Sequence, residues 1–95
     1  MLGPKGPVNR FGGVDMLTWA RRQLEIARDI LDNPGGGLLF ATQTMGQVRA
    51  GLAEHGGRHE RQVALLERAE GHAVRREFPQ ARELVVQVLE QLAEQ

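Results

Sequence analysis

Breakers constrain this chain more than any other feature: Asn33-Pro34-Gly35-Gly36-Gly37, the pair Gly56-Gly57, and Pro79. Proline lacks a backbone donor, and a glycine run loses too much chain entropy to stay regular, so no element runs through residues 33–37. Gly56 suits a left-handed position just past a helix end, and Pro79 suits the first turn of a new helix. Four segments remain, predicted helical over 15–32, 38–55, 58–77 and 79–94. The alternative for the last two is one helix kinked at Pro79. The expected fold is all-α: a four-helix antiparallel bundle with short loops, closed within one chain or built as helical hairpins completed by dimerisation. The best strand candidate, LVVQVL at 84–89, sits in a Glu-, Gln- and Leu-rich context of helical period.

Ninety-five residues make one domain. Residues 1–13 read as a flexible arm, because Gly3, Pro4, Gly6, Pro7, Gly12 and Gly13 break any period and leave Val8 and Phe11 as its anchors. Residues 14–95 read as a single helical domain, with Asp15 as the first N-cap.

Placing side chains at about 100° per residue sorts the helix faces. In the first segment Leu17, Ala20, Leu24, Ala27 and Leu31 form a seam, flanked by Met16, Trp19, Ile26 and Ile30. That arc spans half the circumference and predicts contact with two neighbours. The fourth segment matches it, with Ala81, Leu84, Val85, Val88, Leu89 and Leu92 on one side. The second segment is different: from Leu38 to Ala53 its one charged residue is Arg49. Its seam is Leu38, Ala41, Met45, Val48 and Leu52, and Thr42, Gly46 and Ala50 recur every four residues beside it, close to Ala53. Small residues at that spacing let another helix backbone approach, so this helix is expected to be central and largely buried, with its small face as a close contact.

Twelve basic and twelve acidic residues cancel, which argues against generic polyanion binding. Eleven of the basic residues are arginine, but no segment gathers them into a stripe. Cysteine and serine are both absent, which excludes disulfides, thiolate metal sites, and cysteine or serine nucleophiles. There is no apolar run of membrane-spanning length and no secretory signal pattern at the N-terminus, and the expected location is cytoplasmic.

The third segment contains a conflict. Val63, Leu66, Ala69, Ala73 and Val74 define its apolar arc, yet His59, Glu70 and Glu77 project into it. A carboxylate on a core face needs a partner. Arg49 is the one cation the second segment supplies, so an Arg49–Glu70 pair is expected, within one chain or across an interface. His55 and His59 are four apart, but Gly56-Gly57 separate them, so they are expected as exposed histidines flanking a turn. No HExxH and no phosphate loop is present, and no catalytic, cofactor-binding or metal residue is assigned.

From His72 to Leu89 the chain resembles the second half of a tetratricopeptide unit, with Phe78, Ala81, Val85 and Val88 at the repeat's aromatic, small and apolar positions. The preceding helix lacks the repeat's Trp and Leu-Gly pair and residues 14–55 show no second copy, so the resemblance implies a helical hairpin and no solenoid function. The small intertwined chorismate mutases rely on a lysine in a charged helical cavity, whereas the one lysine here is Lys5, in the arm.

Four helices with arcs this wide offer more apolar surface than one small bundle needs. The expected function is a small adaptor, regulatory or assembly module, self-associating or bound to a helical protein partner. Thr42, Gly46, Arg49, Ala50, Glu70 and Trp19 are its candidate interface or buried polar residues. The first alternative is a small enzyme or ligand-binding bundle using Arg49, Glu70 and the histidines. The second is a nucleic-acid-associated protein using Arg75, Arg76 and the other arginines of the third helix.

Overall fold

A computed structural model describes residues 15–55 and 57–94; the arm expected at 1–13, and Gly56, lie outside the described residues. Four helices account for the described chain: α1 (Met16–Asp32), α2 (Leu38–Ala53), α3 (Glu60–Val74) and α4 (Phe78–Ala93). Each packs on its neighbours in a closed ring, α1 on α2, α2 on α3, α3 on α4 and α4 back on α1. The core along the ring axis contains Leu24, Leu31, Met45, Val48, Leu52, Leu66, Val85, Val88 and Leu92, with alanines closing the gaps between helices.

Local chemistry accounts for the helix ends. Asp15 caps α1, its carboxylate accepting from the Thr18 backbone N–H at 2.9 Å and from the Thr18 hydroxyl at 3.1 Å. This binds one of the orphan donors of the first turn and holds the Asp15 carboxyl below its usual pKa. Gly35 takes the left-handed φ of +48° in the α1–α2 loop, and the Gly37 N–H donates to the Pro34 carbonyl at 2.6 Å. Pro79 lies in the first turn of α4.

The expected end of the third helix at residue 77 moves back to Val74. Glu77 N–H donates to the His72 carbonyl at 2.8 Å and Arg76 N–H to the Ala73 carbonyl at 2.9 Å. These two bonds form a Schellman motif, and its C′ position is occupied by Arg76 at φ +64°, not by a glycine. The reversal makes α3 and α4 separate helices, so the kinked-helix alternative does not arise.

Two further expectations are corrected. First, α2 is not central. In a four-membered ring every helix holds a corner, and α2 buries Ala41, Thr44, Met45, Val48, Gly51 and Leu52 while its opposite side faces out. Its lack of charge was therefore not a sign of burial. Second, Val74 leaves the α3 arc and is 69% exposed. It stands about 100° round the helix from buried Ala73, at the last residue of α3.

Candidate functional site

The face formed by α2 and α3 collects most of the candidate residues. Arg49 reaches from α2 to Glu70 on α3 through two hydrogen bonds, Nε to Oε2 at 2.6 Å and Nη2 to Oε1 at 3.2 Å. The bidentate fork matches guanidinium to carboxylate geometry. It raises the Arg49 pKa, through the Glu70 hydrogen bond more than through any other cause. Both side chains are half-buried. The pair therefore rests in the surface seam between the helices, outside the apolar core.

Gly46 lies beside this pair. A methyl group placed there would stand 3.7 Å from Glu70 Oε1 and 3.8 Å from Arg49 Nη2, an ordinary contact with no backbone in the way. Thr42 is half-buried and donates its hydroxyl to the Leu39 carbonyl at 2.9 Å and the Leu38 carbonyl at 3.2 Å. Ala50 and Ala53 are exposed. The small face of α2 thus borders α3 at Gly46, through the Arg49–Glu70 pair, and opens outward at Ala50 and Ala53. Trp19 is apart from this group, on α1, partly buried against the core.

Sequence reasoning missed the exposed apolar residues at the start of α2, where Leu39 is 69% and Phe40 53% exposed. On α2 itself their outward neighbours are uncharged. The outward residues Leu39, Gln43, Gly46, Gln47, Ala50 and Ala53 carry no ionisable group, and the charge of Arg49 is matched by Glu70. The other helices present charge to solvent: Arg22, Glu25 and Asp29 on α1, Glu60, Glu67 and Arg68 on α3, Glu83 and Glu90 on α4. The signal in the sequence was the missing charge itself, which has two readings, burial inside the chain or burial by another chain.

His59 is corrected from exposed to buried, at 7% exposure. Its Nδ1 is enclosed with no hydrogen-bond partner among the described residues. Burial lowers its pKa, and nearby His55 and Arg58 act in the same direction. His55 is half-buried, its ring edge-on to His59 at 5.9 Å, and its Nδ1 bonds the Gly51 carbonyl at 3.2 Å. Eleven residues of α3 separate His59 from Glu70, about 16 Å along the helix, so these histidines and the Arg49–Glu70 pair do not share a cavity. His72 bonds Glu77 at 2.7 Å, and Arg75 also binds Glu77, at 3.1 Å. Glu77, expected in the α3 arc, therefore sits beyond the helix end with its carboxyl held below the usual range, by His72 first and Arg75 second. Among the described residues no group of three His, Cys, Asp or Glu could hold a metal ion, and no helix is long and apolar enough to cross a membrane. No protein family, curated protein or solved structure gives a significant match to the chain.

Proposed function

We propose that this protein is a small helical interaction module that self-associates through the outer face of α2 and the adjoining surface of α3. The observation that carries this reading is the exposed, charge-free surface of α2, led by Leu39 and Phe40. Helix faces turned to water ordinarily carry charge, and a patch of large apolar and small uncharged residues is what a protein contact covers. The bidentate Arg49–Glu70 pair supports the same reading, because its charges already satisfy each other and a partner can cover them without stranding either. For the ligand-binding alternative, Arg49 and Glu70 are committed to one another and no histidine reaches them. For nucleic acid, Arg75 is tied to Glu77, and acidic Glu60 and Glu67 share α3 with its arginines.

Sedimentation velocity from low to high micromolar concentration tests the proposal. The expected result is a mass that rises with concentration, abolished by Leu39→Glu without loss of helical circular dichroism. A monomer at every concentration overturns it.

A further inference from the structure

His59 sits between two surface grooves at the α2–α3 junction. One is lined by Asp15, Met16 and Leu17 from the start of α1, with His55 and Arg58. The other is lined by Ala53, Gly57, Glu60, Val63 and Glu67. The buried ring makes no hydrogen bond among the described residues, and it meets the His55 ring edge-on. This is a seat for a neutral imidazole. A cation there would be buried without a partner, which is strongly disfavoured.

The charged groups around the ring give that cation no relief. On the α1 side Asp15 shares its groove, but both carboxylate oxygens are bonded to Thr18. At the end of α2, His55 turns its Nδ1 to the Gly51 carbonyl, so that nitrogen is a donor and cannot accept from His59. Glu54, the C-cap of α2, is exposed and lines neither groove. Arg58, in the turn, carries the same sign as the cation. On α3, Glu60 and Glu67 are exposed on the far groove, where water screens them. No described residue of α4 lines either groove. Burial, His55 and Arg58 therefore hold the His59 pKa down, and no carboxylate offsets them.

The junction is lightly held between firm anchors. Two backbone bonds of 3.2 Å close it, His55 N–H to the Leu52 carbonyl and Arg58 N–H to the His55 carbonyl. Gly57 takes φ +86°, a conformation open to glycine. No side chain caps α3, so His59 can turn outward without breaking a cap. On either side, Leu52 and Leu66 belong to the core, and buried Gln62 donates to Gln91 of α4 at 2.5 Å.

We infer that the α2–α3 junction is an acid-released latch: when His59 takes up a proton, its ring leaves the seat for water and the junction detaches from the first turn of α1, while the four-helix ring stays closed. Histidine is the side chain whose ordinary titration falls in mild acid, and opening confined to one segment is usual where few contacts hold it. Release joins the two grooves and exposes Met16, Leu17 and Val63 further. The inference does not depend on self-association.

Residue-resolved amide hydrogen exchange, corrected for intrinsic rates and run on the dilute full chain from pH 7.5 to pH 5, tests it. Protection of the His55 and Arg58 amides is expected to fall about tenfold for each pH unit below 6.5, while the Leu66 and Val85 amides keep theirs. His59→Leu should abolish the fall and His55→Gln should retain it. The ring proton shifts of His59 in the unmodified chain, followed over the same range, should move together with the loss of protection. Protection at His55 and Arg58 that is independent of pH overturns the inference. So does protection lost in step with Leu66 and Val85, or an equal fall in His59→Leu.

Discussion

Arg49 and Glu70 face each other across the α2/α3 seam, 21 residues apart in sequence, with both guanidinium-to-carboxylate bonds formed and both side chains half-buried. A pair so placed is worth more than a solvated surface bridge and less than a fully desolvated one. In a double-mutant cycle with Arg49→Met and Glu70→Gln, the expected coupling is about 1–2 kcal/mol from denaturant unfolding of the monomer. Coupling indistinguishable from zero would show that the pair contributes nothing in solution.

Arg76 offers a stabilising substitution. Its φ of +64° places a side chain with a Cβ where glycine is at ease, and the left-handed region costs a non-glycine residue roughly 1 kcal/mol. Arg76→Gly is expected to raise stability by about 0.5–1 kcal/mol, lessened by the greater freedom of glycine in the unfolded chain. Thermal unfolding below the association range measures it, and a lower melting temperature would count against the Schellman assignment.

Gly46 behaves oppositely to what burial of α2 implied. Since a Cβ there meets only ordinary contacts, Gly46→Ala should gain helix propensity without overpacking. The expected change in the monomer is a stabilisation of about 0.5–1 kcal/mol. A loss of that size in dilute solution would mean the position is closed within one chain.

His59 makes stability depend on mild acid. Its folded-state pKa lies below the ordinary value of 6.5, because burial disfavours the cation. The folded chain therefore binds fewer protons than the unfolded chain in this range. The stability owed to neutral His59 is full above about pH 6.5 and is lost as pH falls through the lower folded-state value. Denaturant midpoints measured from pH 7.5 down to pH 5 are expected to fall, and His59→Leu should flatten that slope. An equal slope in the variant would assign the titration elsewhere.

Local chemistry was legible in the order of residues. Pro34, the Gly35–Gly37 run and Pro79 set where helices stop and start, because their backbones cannot continue one. Asp15 announced the cap of α1, and the spacing of Leu24, Ala27 and Leu31 fixed which side of α1 turns inward. Arg49 and Glu70 were readable as partners because each was the misplaced charge on its own helix. What the sequence could not determine depends on where each helix stands among the others. An uncharged helix is consistent with a central position or with an outward face awaiting a second chain, and the closed ring of four put α2 at a corner. His59 became buried where His55 and the first turn of α1 come beside it, and Val74 became exposed because it lies on the outward side of α3, in line with exposed Glu60 and Glu67 seven residues apart. Periodicity gives each side chain an angle on its own helix; only packing decides whether protein or water occupies that direction.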